Sequence, residues 1–426
     1  MIQIGEKQYF TSPNWKLGFF WSGNFKASIS SLRRNRWRSF FTMLGIVIGI
    51  ASVVTIVSLG QGLKNQITGQ IRNLGSNVVT VRPGKLVNRS SGGKISGVNL
   101  SAFFSASTLT DADIVSLSNL KDIQTVVPVD FVTSSAHGDA GQSDNLAVIG
   151  TSPDLANVLN LKLAYGSFFG ASDDPSAAVL GPATAQKLFK SPNPFAHTLT
   201  IDGSDFLVHG VTEPTAGSLL AFGQGDFNSA IFIRYDAAKQ LTKNATNLLE
   251  ILVQAKPGAN LDSAVNEIQQ TLYKNHKTED FTVLKQPELL DVSNHVVDSV
   301  AGFITGIAAV SLLVGGIGIM DIMLVAVSER TREIGIRKAI GATNRQILNQ
   351  FLTEGLVLSL VGGIIGIALA FLINIGLRLY TGLHPEIGWL VVVLAVVVAL
   401  AVGIVFSGAP ALKAARKQPI DALRGE

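Results

Sequence analysis

The 426-residue chain contains no cysteine, so disulfide staples are excluded and every folded part must be held by its own apolar core. Charge is scarce as well. Asp, Glu, Lys and Arg make up 15% of the residues, against roughly 25% in ordinary soluble domains. With a mean hydropathy of +0.36, this indicates a membrane protein with a sizeable soluble part. No Gly-x-x-x-x-Gly-Lys-Ser/Thr loop occurs, so these residues hold no P-loop phosphate cradle. No serine sits in a nucleophile elbow. The histidines (His137, His197, His209, His276, His295, His384) are scattered, and without cysteine a structural zinc site is not expected. Asp173-Asp174 and Asp202…Asp205 adjoin Pro175 and Gly203 and read as turns rather than catalytic carboxylates. The expectation is no catalytic residue, no metal and no cofactor on this chain.

Long uncharged runs are what the chain does have. Ser39–Leu63, Ser299–Met320, Gly355–Leu377 and Ile387–Leu412 lack Asp, Glu, Lys and Arg. Each can cross roughly 30 Å of hydrocarbon, which takes about 20 helical residues. The reading is an α-helical membrane protein with four transmembrane helices, at 39–63, 299–328, 350–378 and 387–412. The first follows Arg33, Arg34, Arg36 and Arg38 with no small-residue cleavage site, as in a retained signal-anchor. Residues 1–38 carry seven Lys/Arg, Glu329–Gln350 five and the tail after Leu412 four, whereas 379–386 carries none. By the positive-inside bias, both termini (1–38 and 413–426) and the 329–349 loop are cytoplasmic, and 64–298 and 379–386 lie outside. The external segment has 17 basic and 22 acidic residues, so the high pI resides in the cytoplasmic flanks and nucleic acid is not an expected partner.

Within 14–38, Leu17, Trp21, Phe25, Ile29 and Leu32 form an apolar stripe beside Lys16, Lys26 and Arg33. Such a helix suits the surface of anionic membrane lipids. In 64–298, strands are expected at 78–82, 123–127, 177–180, 206–211, 230–234, 248–254 and 281–284. Helices are expected at 110–117, 152–159 (with Ser152 as cap) and 260–272. This order predicts an extracytoplasmic α+β domain between helices 1 and 2, in two subdomains. Arg89–Ser107, rich in Ser and Gly, reads as a loop.

The inner loop is the most informative stretch: Glu329-Arg330-Thr331-Arg332-Glu333-Ile334-Gly335-Ile336-Arg337-Lys338-Ala339-Ile340-Gly341. Glu329–Arg332, Arg330–Glu333 and Glu333–Arg337 are neighbours on a helix. Gly341 fits a left-handed cap, and Thr343 with Gln346 forms a capping box for the next helix. A solvated charged helix and a docking element fit this pattern equally. Small residues four apart, Gly45/Gly49, Gly302/Gly306 and Gly362/Gly366, allow close helix approach. The first pair is assigned to a dimer contact and the last to packing inside one protomer.

These residues resemble the MacB/FtsX family of ABC transporter permeases. The likeness is carried by Gly315-Gly316-Ile317-Gly318-Ile319-Met320, by Met323-Leu324-Val325 and by Glu329 to Ala342. It extends to Leu44–Ile50, Gly75-Ser76-Asn77, Gly150-Thr151-Ser152-Pro153, Leu180-Gly181 and the tail Pro419-Ile420-Asp421-Ala422-Leu423-Arg424. The family commonly has Asn where this chain has Asp321, leaving open an interfacial carboxylate or a proton-coupling one. The resemblance implies a homodimeric permease in the cell membrane, served by two cytoplasmic ATP-binding subunits that hold the ATP and Mg. It also implies that Glu329 to Gly341 receive the motor's stroke and pass it to the external domain for efflux or extraction of a substrate. An extracytoplasmic adaptor or substrate-delivery protein is compatible. The alternative it allows is an FtsX-like regulator of an extracellular cell-wall hydrolase.

Overall fold

The computed structural model describes residues 36–73, 77–90, 95–104, 106–214, 226–243, 247–276, 278–380 and 384–424. Most of the stretch read as an interfacial helix, 14–38, lies outside them. The chain divides into a helical unit, residues 1–61 with 300–426, and a sheet unit, residues 62–299.

In chain order, α1 (Arg36–Asn73) leads into β1 (Val78–Pro83), and a hairpin of β2 (Val87–Arg89) and β3 (Ile95–Val98) follows. This hairpin and a 3₁₀ turn at Leu100–Phe104 occupy the segment expected to be loop. Ala102 anchors the segment in a buried cluster with Leu86 and Val87 just ahead of it, which its Ser and Gly content concealed. Next come α2 (Asp111–Ser118), β4 (Ile123–Gly138), β5 (Gly141–Thr151), α3 (Leu155–Val158), β6 (Leu163–Gly166), β7 (Ala177–Leu180) and α4 (Pro182–Phe189). They are followed by β8 (Thr198–Ile201), β9 (Ser204–Thr212), β10 (Ala230–Arg234), α5 (Tyr235–Leu241), β11 (Leu248–Ala255), α6 (Leu261–Asn275) and β12 (Phe281–Lys285). α3 is shorter than expected, with Asp154 rather than Ser152 at its start. α6 starts as the sequence suggests, the Asn260 side chain accepting from the Asp262 and Ser263 amides.

Among the described residues ten strands form one sheet in the order β12-β1-β11-β4-β5-β10-β7-β9-β6, with β8 beside β4 and β9. Pairing is antiparallel except for β5–β10 and β7–β9. Several cores are strung along this continuous sheet. One packs α2 and α6 on Val79, Val81, Ile251 and Val253, and another packs α4 and α5 on Leu146, Val148, Leu180 and Val208. The 16-residue strand β4 is long enough to serve both.

The chain then forms α7 (Gln286–Glu329), α8 (Thr331–Ala339), α9 (Asn344–Tyr380), α10 (Trp389–Arg416) and α11 (Pro419–Arg424). α1, α7, α9 and α10 are each long and apolar enough to cross a membrane. Small residues set their contacts. A Cβ added at Gly45 would stand 2.7 Å from Gly315 Cα, and one at Gly49 would stand 2.6 Å from the Leu312 side chain. The Gly45/Gly49 face, assigned above to a dimer contact, is thus occupied by α7 of the same chain. Gly362 and Gly366 pack on Ile46 and Ile50 of α1 within the protomer, as expected, and Gly355 meets Ser407 where α9 crosses α10.

Candidate functional site

α8 is a separate nine-residue helix set between two spans. α7 stops because Arg330 leaves the helical conformation (φ −99°, ψ 16°). The Thr331 hydroxyl donates to the Val327 and Ser328 carbonyls and so covers acceptors that the break would orphan. At the far end Gly341 takes φ +107°. The Gly341 amide donates to Lys338 O and the Ala342 amide to Arg337 O, which completes a Schellman cap. The Thr343 amide donates to Gln346 Oε1 at 2.8 Å, and the Gln346 amide donates to Thr343 Oγ1 at 3.3 Å. The expected capping box is present.

The inner face of α8 is fastened on three sides. Ile334 is buried in the helical unit's core with Ile347 and Phe351. Gly335 lies against α11, where a Cβ would approach Ala422 Cβ to 2.6 Å. Lys338 Nζ donates to Asn344 Oδ1 (2.7 Å), Lys417 O (2.8 Å) and Ala415 O. All three ammonium donors are used, two of them on carbonyls at the C-terminal end of α10, where a cation also opposes the helix dipole. Toward α9, Arg330 donates to Glu354 Oε1 at 3.2 Å and Arg337 donates to Gln350 Oε1 at 2.7 Å.

The ion pairs differ in part from those expected. Arg337 and Glu333 do pair, at 2.6 Å. Arg330 turns to Glu354 on α9 rather than to Glu333, because its non-helical backbone points it off the α8 surface. Glu354, Gln350, Ala422 and the α10 carbonyls escaped the sequence reading. The one available signal was a lone carboxylate at the edge of an uncharged run. Arg332, Glu333, Ile336, Ala339, Ile340 and Gly341 remain exposed, with Ile336 at 47% and Ile340 at 81%. Ile336 and Ile340 share one side of the helix by spacing. Asp321 is exposed on α7, about two turns before its end.

Several charged groups of the sheet unit are held in structural pairings. Asp173 accepts from the Gly170 amide, and Asp174 accepts from the Ser176 amide and hydroxyl, which holds the Asp174 carboxyl below its usual range. Asp202 (φ +45°) and Gly203 (φ +82°) make the two-residue turn between β8 and β9. Arg82 of β1 and Glu250 of β11 are buried, 3.4 Å apart. Burial pushes the Glu250 carboxyl up to about 7, with Arg82 pulling the other way. His276 lies between Asp113 (3.1 Å) and Asp280 (2.9 Å). No cluster suited to a metal ion occurs among the described residues.

Among the described residues, four membrane-crossing helices with a large sheet domain between the first and second define a multi-pass membrane protein. Residues 39–271 match the model of the MacB-like periplasmic core domain, and 305–419 match the FtsX-like permease C-terminal model. The chain belongs to this MacB/FtsX-type permease family. It is 34% identical over 407 residues to a macrolide export ATP-binding/permease protein, MacB, of Azoarcus, covering 94% of this chain and 59% of that protein. Against the uncharacterized ABC transporter permease YknZ of Bacillus subtilis it is 33% identical, covering 95% of this chain and 99% of YknZ. The chain thus spans about three fifths of the MacB relative and essentially all of YknZ. The extracellular domain of YknZ matches 49% of this chain at 19% identity, with a TM-score of 0.37.

Proposed function

We propose that the chain is the membrane subunit of an ABC-type exporter or extractor, with ATP, Mg and all catalysis supplied by two copies of a separate ATP-binding subunit. It resides in the cell membrane with both termini and α8 cytoplasmic, a placement supported by the Lys/Arg distribution. The observation that carries the reading is the two-sidedness of α8. Its inner face is tied to α9, α10 and α11, while Ile336 and Ile340 stand out for a partner. Arg332 and Glu333 flank them and give the contact polarity. A push on this face reaches α7, which continues without a gap from β12 through 44 residues, about 66 Å of helix. Motion of the external domain follows from that push, with no step of chemistry on this chain. Homodimer formation is assigned to the face of α7 that carries Gly302 and Gly306, exposed small residues four apart with no neighbour within 4 Å among the described residues.

The test is the Ile336→Asp, Ile340→Asp double variant in the full complex. ATPase stimulation is expected to fall to that of the ATP-binding subunit alone, with membrane insertion unchanged. Undiminished stimulation overturns the proposal.

A further inference from the structure

We propose that the C-terminal end of α10 holds an anionic phospholipid, its phosphodiester on Lys413, Arg416 and Lys417 and its acyl chains along the outward face of the helix. A recess of about 640 Å³ there is lined by Ala409, Leu412, Lys413, Arg416, Lys417 and Gln418. The three cationic side chains have no hydrogen-bond or ion-pair partner among the described residues.

The occupant is identified by what continues from the recess. Val393, Leu394, Val397, Ile404, Val405 and Leu412 are exposed at spacings that place them on one side of α10. That side ends at Trp389, which is 76% exposed. From Trp389 to Lys413 the helix rises about 36 Å, so the indole falls in one headgroup layer and the lysine in the other. A soluble acidic partner could meet the cations but could not follow the apolar face into hydrocarbon. A two-tailed lipid does both. The anion is also spared repulsion from the helix end, because Lys338 already covers the Ala415 and Lys417 carbonyls.

The experiment is native mass spectrometry of the full chain in detergent, offered equal amounts of phosphatidylglycerol and phosphatidylcholine. Phosphatidylglycerol is expected to be retained at least about tenfold more, since each of the three basic residues at an anionic surface strengthens binding severalfold. Lys413→Gln, Arg416→Gln and Lys417→Gln together should bring retention down to the phosphatidylcholine level. Lys413→Arg with Lys417→Arg should keep it, as should Arg345→Gln, which removes an exposed cation elsewhere. If the triple variant does not survive purification, Arg416→Gln alone must show the same selective loss. Equal retention of the two lipids, or persistence of the preference in the glutamine variants, overturns the proposal. Displacement by millimolar inorganic phosphate overturns it in favour of a soluble-anion site. A variant that keeps the lipid but loses co-purification with an ATP-binding subunit overturns it in favour of protein docking.

Discussion

Lys338 donates to the main-chain carbonyls of Ala415 and Lys417, which closes the short helix onto the last span. A neutral side chain at 338 would orphan these acceptors and loosen α8 from α10. Lys338→Met is expected to lower the stability of the helical unit by about 1–3 kcal/mol, the cost of unsatisfied partners at a partly buried site. Thermal unfolding in detergent reads the loss, and ATPase stimulation in the complex should drop with it.

Gly335 gives a cleaner test of the same joint. Its missing Cβ is what lets Ala422 approach, since a methyl would come to 2.6 Å. Gly335→Ala should therefore weaken coupling even though alanine is the better helix former. Adding Ala422→Gly should restore most of it. Failure of the pair to rescue would show that the contact is not what the first change disturbs.

Among the spans, Gly45→Leu is expected to abolish correct assembly, because Gly315 backbone lies 2.7 Å from a Cβ there. Gly302→Leu, on an open face of α7, should leave monomer folding intact. Size-exclusion profiles and limited proteolysis separate the two. Gly302→Leu should at the same time yield monomers from a dimeric wild type, and a dimer that persists would mean that the open face is not the contact between copies.

The buried Arg82–Glu250 pair makes the sheet unit sensitive to pH. The Glu250 carboxyl titrates near 7 when folded against a reference of 4.5, so the folded state binds the extra proton between these values. Stability therefore falls as pH rises through this window and levels off above it. Arg82→Met leaves a buried carboxylate without its counter-charge. It should cost about 3–5 kcal/mol at pH 8 and clearly less at pH 5, where Glu250 is protonated. Hydrogen exchange at the β11 amides reports the difference.

Much of this was legible beforehand, where the signal was local. Ala230–Arg234 reads as a strand because it is a β-branched and aromatic run, and β10 has those bounds. Gly341, Thr343 and Gln346 announce a turn because only certain residues take those backbone positions. Spans were visible because hydrocarbon tolerates so few charges. What escaped was non-local. β5, with its polar Gly141–Asn145 start, becomes a strand only through pairing with β4. Arg330 was paired by helical spacing with Glu333, yet one non-helical residue sends it to Glu354. No spacing rule shows that Gly335 faces Ala422, because the two meet only after three helices have packed.

The two ends of α8 bear on how the proposed stroke would travel. A Schellman cap at one end and a hydroxyl-bridged break at the other prevent the helix from winding further into either neighbour. Such a segment has no slack. Displacement that the helix cannot absorb by unwinding must be shared at once by every span it is fastened to.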